Sequence, residues 1–427
     1  MITVPKGTRD IYGNEIILRR RLETVIREIC DAFGYFEIQT PIFEAEELFR
    51  RGVGEATDVV SKEMFAFTDK GGRLNALRPE GTAGAVRAYI ENGMGSMTQP
   101  VKMFYNGPFF RQEKPQAGRY RQYNSFGVEV IGSGEPECDA EVISVAHELT
   151  RRLGIKNVSL HINSLGCPDC RPGHSEALKN FLGDKISSLC PTCVGRFNKN
   201  PMRVLDCKEE SCKKLLSDAP RTLDFIDEKC AAHFDRVKKI LSAIGVGFVI
   251  DDKIVRGLDY YTRTVFEFVC EGEGTLGSQN VLCGGGRYDG LSKLIGGADT
   301  PAVGFGLGID RLAIILGENT ALINEDAAEA RDIFIGSIGE AGNLAAQKII
   351  YGLRSENFKA SGDVSARSVK AQMKYADKLN ARFSAIIGEN EVASGSCAVK
   401  NMFTGESVDC EISKLGDFLR KNRCALK

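Results

Sequence analysis

The chain has 427 residues, 43% of them apolar and 26% charged, with a formal net charge of −1. This composition excludes a disordered or fibrous protein and predicts two or three domains with genuine cores. The near-neutral balance speaks weakly against a surface that grips a polyanion throughout. No stretch approaches the roughly 20 apolar residues that cross a bilayer, and Met1 to Lys6 shows no leader pattern, so a cytoplasmic protein without membrane contact is expected.

In chain order, apolar residues near helical spacing predict a helix from Asn14 to Phe33, with Gly34 as its C-cap. A short strand, Tyr35 to Ile38, follows, then Pro41. A second helix is predicted from Thr82 through Tyr89. Strand patterns occur at Val101 to Tyr105, Ser125 to Ile131, Val158 to Ile162, Thr264 to Cys270 and Val281-Leu282. An apolar helix follows Gly308, through Leu312 to Leu316. The strands cluster without regular helical crossovers, which predicts a mixed, mainly antiparallel sheet flanked by helices: an α+β domain over residues 1–325. Residues 166–235 form a mostly helical, cysteine-rich insertion within it. A polar break at Asn319 to Arg331 precedes a strand (Ile333 to Ile335), a helix (Asn343 to Ser355) and another strand (Ala385 to Gly388), a small α/β domain over residues 331–427.

Several segments carry chemistry. Arg111-Gln112-Glu113 follows an apolar run, and an Arg and a Glu two residues apart share one face of an extended chain. A nucleotide offers a phosphate to the cation and an exocyclic amine to the carboxylate. Lys114, Arg119 and Arg121, interleaved with Tyr120 and Tyr123, suit phosphates and unstacked bases, though a solvated hairpin tip would look similar. Arg256-Gly257-Leu258-Asp259-Tyr260-Tyr261 places an arginine and two tyrosines beside a strand; fixed positive charge can stabilise a phosphoryl transition state, and an ordinary strand end is the alternative. The three glycines of Cys283-Gly284-Gly285-Gly286-Arg287-Tyr288-Asp289-Gly290 permit close backbone approach to a ligand. Gly272 to Gly277 spells G-x-G-x-x-G but leads towards a strand, which argues for a hairpin loop over a dinucleotide site.

Six of the 14 cysteines crowd between Cys167 and Cys212. The pairs Cys167/Cys170 and Cys190/Cys193, about twenty residues apart, predict a four-thiolate zinc site. Cys207 and Cys212 either replace one pair or lie nearby unused. None of the histidines (His147, His161, His174, His233) falls in these segments, so core or surface roles are expected for them.

The order of the segments is more specific than any one of them. Gly34 to Glu44, Phe109 to Glu113 with Tyr123 to Ile131, and Gly304 to Leu312 resemble the three signature motifs of class II aminoacyl-tRNA synthetases. Arg256 to Tyr261 (RGLDYY) and Gly284 to Leu291 (GGGRYDGL) are similar to the two motifs peculiar to the histidyl-tRNA synthetase family. Leu77 to Ala85 resembles its amino-acid-binding segment, and the C-terminal part its anticodon-binding domain.

The resemblance implies the class II fold, a homodimer built on the first motif, and histidine activation by ATP with Mg²⁺ before transfer to tRNA(His). Glu80 and Thr82 would hold the α-amino group of L-histidine. Glu129 and Tyr261 would contact its imidazole, with Tyr260 lining the pocket. Arg111 would bind the α-phosphate and the substrate carboxylate, and Glu113 the adenine amine. Arg119 and Arg311 would bind the outer phosphates of ATP. Arg256 would be the catalytic cation at the α-phosphate. Ser125 stands where the family usually has Gln, which implies weaker histidine binding through a water. The main alternative is a non-catalytic, synthetase-like regulatory subunit of ATP phosphoribosyltransferase. Such paralogues typically lack the C-terminal domain.

Overall fold

The computed structural model describes residues 1–54, 57–116, 118–207, 209–255, 258–270, 280–317 and 330–423. They belong to two compact units, Met1–Leu322 and Ile323–Lys427.

The first unit is built on an eight-stranded sheet. Its order is Phe36–Glu37, Val101–Phe110, Gln122–Ile131, Ala302–Gly308, Val281–Arg287, Thr262–Cys270, Val158–Ser164 and Val249–Ile250. Only the two outermost pairings are parallel; every pairing between them is antiparallel. The sheet is thus mixed and mainly antiparallel, the class II architecture. Val128, Val130, Phe126 and Phe305 are fully buried within it.

Helices cover the sheet. Asn14–Phe33 spans the expected residues and ends on Gly34 at φ 75°, a left-handed cap that costs glycine nothing. Leu18, Leu22, Ile26 and Ile29 form its buried stripe. It packs on Pro136–Arg152 and on Ile309–Gly317. Pro136–Arg152 is a long helix beyond those expected from the sequence; Pro136 occupies its first turn, where a missing N–H is harmless. A buried ion pair fastens the layers: Asp310 accepts from Arg19 at 2.5 Å and from the Asn124 amide at 2.7 Å. A separate three-stranded sheet, Phe43–Ala45, Leu74–Leu77 and Ala66–Thr68, leaves Phe43, Phe67 and Leu74 exposed.

The insertion is mainly helical, with Arg171–Leu182, Pro191–Lys199 and Glu210–Leu215 separated by short 3₁₀ turns. Its small core holds Leu178, Leu182, Leu189 and Val204 together with Cys193, Cys207 and Cys212.

The second unit has a five-stranded sheet ordered Ala360–Gly362, Ile333–Ser337, Phe383–Ile387, Ser396–Asn401 and Ser407–Glu411. Its first three strands are parallel and the remaining pairings antiparallel. The helix Gly339–Ser355 begins one turn earlier than the sequence pattern suggests. No helix among the described residues is long and apolar enough to cross a membrane.

Candidate active site

The site grows from the register of the central strands. On Gln122–Ile131 the alternating residues Ser125, Gly127 and Glu129 face one side. They pair with Gly308, Gly306 and Gly304 on one neighbour and with Gly107, Tyr105 and Met103 on the other. Gly306 and Gly304 pair in turn with Gly284 and Gly286. A band of glycines thus crosses three adjacent strands and leaves the sheet face low enough to floor a pocket. The need for glycine is steric: a β-carbon on Gly304 would overlap the Glu129 carboxylate, and one on Gly127 would overlap the Tyr105 ring.

Glu129 stands on this floor with no solvent exposure. Its Oε1 accepts from the Thr82 hydroxyl at 2.8 Å and the Tyr105 hydroxyl at 3.1 Å, and its Oε2 accepts from the Tyr288 hydroxyl. Burial pushes its pKa up to about 8; the hydroxyl donors pull the other way, and the nearby Glu80 charge adds to the rise. Burial also holds the Tyr105, Tyr260 and Tyr288 hydroxyls protonated well above the ordinary range, so they remain donors. Tyr260 packs between Tyr261, at 4.7 Å between ring centroids, and Tyr288, at 5.6 Å.

Glu80 sits at the start of the helix Thr82–Glu91. It accepts from the Thr82 amide at 2.7 Å and the Ala83 amide at 2.9 Å. Two otherwise unpaired helical N–H groups are thereby satisfied, and the helix dipole favours the charge. Burial nevertheless raises its pKa, against those amides and Arg111.

The cations lie beside these carboxylates. Arg111 and Glu113 follow the strand Val101–Phe110 instead of continuing it, so the shared strand face expected for them is replaced by an extended loop. Arg111 Nε donates to the Pro79 carbonyl at 2.8 Å, and its Nη1 lies 3.6 Å from Glu113 Oε1. Tyr123 donates to the same carbonyl at 2.8 Å and stacks beneath the guanidinium. Arg119 pairs with Glu113. Arg311 donates to the Val281 carbonyl at 2.5 Å. Burial lowers its pKa, and repulsion from Arg119 and Arg111 adds to that, which reports three cations converging on one space. Ser125 Oγ donates to the Leu307 carbonyl at 3.0 Å, a bond within the sheet.

Glu80, Thr82, Arg111, Glu113, Arg119, Ser125, Tyr260, Tyr261 and Arg311 all line one cleft of about 960 Å³, and buried Glu129 is bonded to two of its lining residues, Thr82 and Tyr105. Arg256, and the Gly272 to Gly277 loop, lie outside the described residues. Three contributors escaped the sequence reading. Tyr105 and Tyr288 bond Glu129 from 24 and 159 residues away. The insertion also supplies Cys190, Arg196, Arg203 and Asp206 to the cleft wall. Pattern alone marks Cys190, through its C-x₂-C pair, but gives none of these its place in the cleft, because that place is set by partners distant in sequence.

Arg287 of the glycine-rich segment points the other way. It is fully buried, bonded to Asp139 at 2.6 and 2.9 Å, and His233 Nε2 lies 2.7 Å from the other Asp139 oxygen. Asp139 is thereby held below the ordinary carboxylate range despite its burial. His161 pairs with Asp251, and buried His174 bonds the Pro220 carbonyl.

The cysteines require a correction. Cys167, Cys170, Cys190 and Cys193 do not converge on one point. Cys190 and Cys193 group with Cys207 and Cys212, whereas Cys167 and Cys170 group with Asp227 and Cys230. Spacing pairs each C-x₂-C correctly, but which pairs meet is decided by the path of the helices between them.

Comparison with known proteins shows the family. A family model described as histidyl-tRNA synthetase matches residues 7–312, and one described as an anticodon binding domain matches residues 332–422. A histidine–tRNA ligase of Acetivibrio thermocellus is 49% identical, with 96% of this chain and 98% of the relative covered. One from Caldanaerobacter subterraneus is 47% identical over 96% and 97%. The crystal structure of apo histidyl-tRNA synthetase from S. aureus superposes with a TM-score of 0.82 at 38% identity, covering 98% of this chain and all of that one. With a carboxylate-and-tyrosine floor beside three converging arginines, and with relatives this close over nearly its whole length, the chain belongs to the histidyl-tRNA synthetase family of class II aminoacyl-tRNA synthetases.

Proposed function

We propose that this chain activates L-histidine with ATP and transfers it to the 3′ end of tRNA(His). The observation that carries the assignment is Glu129: a buried acid surrounded by hydroxyls, two of them from residues that line the same cleft as Glu80, Arg111, Arg119 and Arg311. An imidazole needs a donor or acceptor at each ring nitrogen; Glu129 and Tyr261 supply them, with Tyr260 closing the pocket. Glu80, pre-set by two helical amides, and the Thr82 hydroxyl take the α-amino group. Arg111, held by the Pro79 carbonyl and Tyr123, orients the carboxylate against the α-phosphate. Glu113 reads the adenine amine once Arg119 turns from it to the outer phosphates, which it shares with Arg311. Arg256 is assigned the α-phosphate on its motif alone.

The carboxylate oxygen then attacks the α-phosphorus in line, and pyrophosphate leaves. The tRNA terminal hydroxyl next attacks the adenylate carbonyl and AMP leaves. Positioning and fixed charge supply most of the rate, because little covalent work falls to the protein. Mg²⁺ brought in with ATP would neutralise charge on its phosphates, beside Arg119 and Arg311. Residues 1–325 carry this chemistry, with 166–235 as the insertion, and residues 331–427 contact the anticodon.

Two further assignments complete the reading. Exposed Phe43, Phe67 and Leu74 on the small sheet favour a homodimer joined through the first motif, since such a patch is costly in water. A structural zinc ion on Cys190, Cys193, Cys207 and Cys212 replaces the mixed set expected from spacing: all four sulphurs lie within 4.8 Å of one another, with Cys190 and Cys207 3.8 Å apart. A cytoplasmic location accords with fourteen cysteines and no disulfide among the described residues. The regulatory-subunit alternative is disfavoured because the carboxylates and arginines a catalyst needs share one cleft.

The test is exchange of labelled pyrophosphate into ATP, with each amino acid supplied separately. Exchange with histidine alone is expected. Absence of exchange with every amino acid would overturn the catalytic reading.

A further inference from the structure

We propose that Cys167, Cys170, Cys230 and Asp227 form a second zinc site, distinct from the four-cysteine site, that clasps the neck of the insertion. The proposal does not depend on the synthetase reading.

Tetrahedral zinc with Zn–S near about 2.3 Å and Zn–O near about 2.0 Å requires S···S edges of about 3.8 Å and S···O edges of about 3.5 Å. Here Cys167 and Cys170 sulphurs are 3.5 Å apart, Cys170 and Cys230 3.9 Å, and Cys167 Sγ lies 3.4 Å from Asp227 Oδ2. All four ligand atoms fit within 4.8 Å of one another. A disulfide would need the sulphurs at about 2.05 Å and would leave one of the three thiols unused. Soft thiolates in a tetrahedral set select zinc over magnesium or calcium.

The surrounding backbone is arranged for this. Cys170 precedes the helix Arg171–Leu182, and Asp227 caps the helix Glu228–Ala243. Asp227 divides its oxygens: Oδ1 accepts from the Cys230 amide at 2.7 Å, leaving Oδ2 turned to Cys167. The Asp227 amide donates to Cys170 Sγ at 3.2 Å, the kind of outer contact that orients a metal thiolate. Both helix starts direct positive partial charge towards the cluster.

The site closes the chain on itself across 60 residues, between Cys170 and Cys230. The enclosed segment supplies Arg196, Arg203 and Asp206 to the active cleft. Arg171, adjacent to Cys170, donates to the Tyr261 carbonyl in the histidine pocket. A metal at this neck fixes where the insertion leaves and rejoins the sheet, and so where its cleft residues stand.

The experiment is metal analysis of the full chain, purified under reducing conditions without added metal. Two zinc ions per chain are expected. Cys230→Ser and Asp227→Asn should each lower this to one, and Cys207→Ser should remove the other. Asp227→Asn is the informative variant, because asparagine still caps the helix while losing the anionic ligand. Titration of the unmodified chain with a mercurial should release both ions and consume seven clustered thiols, a readout that needs no variant to fold. Zinc content of one or none that Cys230→Ser and Asp227→Asn leave unchanged would overturn the proposal. A single ion lost in those two variants, but kept in Cys207→Ser, would support it and remove the four-cysteine site instead.

Discussion

Glu129 is the residue whose physics is least ordinary. Its pKa of about 8 stands above the value of a solvated glutamic acid, so between pH 4.5 and 8 the folded chain holds a proton that the unfolded chain has released. Stability from this group is therefore fully present below pH 4.5 and declines as pH rises through 8. Glu129→Gln keeps the shape without the charge, with an amide N–H donating where one carboxylate oxygen accepted. It should raise the melting temperature at pH 8.5 relative to the parent and leave it nearly unchanged at pH 5; equal shifts at both would refute the assignment. Ser125 offers the complementary test. Its hydroxyl is spent on the Leu307 carbonyl, so Ser125→Gln, which can extend into the cleft, should lower KM for histidine several-fold in pyrophosphate exchange with little change in kcat. An unchanged KM would mean that Ser125 costs nothing.

Among elements, the glycine-rich strand Val281–Arg287 joins two kinds of work. Gly284 and Gly286 keep the pocket floor low, while Arg287 anchors the strand to Asp139 on the helix Pro136–Arg152 and, through Asp139, to His233 on the helix Glu228–Ala243. Removing one member of a buried pair leaves an uncompensated charge, so Arg287→Ala should destabilise the first unit by about 3–5 kcal/mol, read as an earlier urea transition. A loss below 1 kcal/mol would show that water replaces the guanidinium. The helices Asn14–Phe33 and Thr82–Glu91 were legible because one-sided apolar spacing is a local property. Pro136–Arg152 was passed over, although Pro136 and the first-turn acids Glu137 and Asp139 mark its start. The place of Arg111 in the cleft was expected from resemblance, whereas that of Tyr288 was not: its significance arises only when the sheet and the turn after Arg287 bring it to Glu129, 159 residues away. The cysteine partition escaped for the same reason.

For the whole molecule, the exposed aromatic pair Phe43 and Phe67, 6.0 Å apart, is the feature that a second copy would cover. Sedimentation should give twice the 46.7 kDa chain mass. Phe43→Asp should shift the chain to monomer and lower aminoacylation at least tenfold, as a charge in a buried apolar interface is strongly penalised; a dimer that tolerates the change would place the interface elsewhere. The hydroxyl-lined acid of the histidine pocket has one more consequence, for the fidelity of translation. An apolar pocket discriminates poorly between side chains that differ by a methyl group, and enzymes built on one must hydrolyse their mistakes. A pocket whose buried polar groups are left unpaired by the wrong amino acid rejects it by roughly 10⁴-fold or more. If the pocket holds histidine as proposed, errors are prevented at adenylate formation, and a proofreading step would have almost nothing to correct.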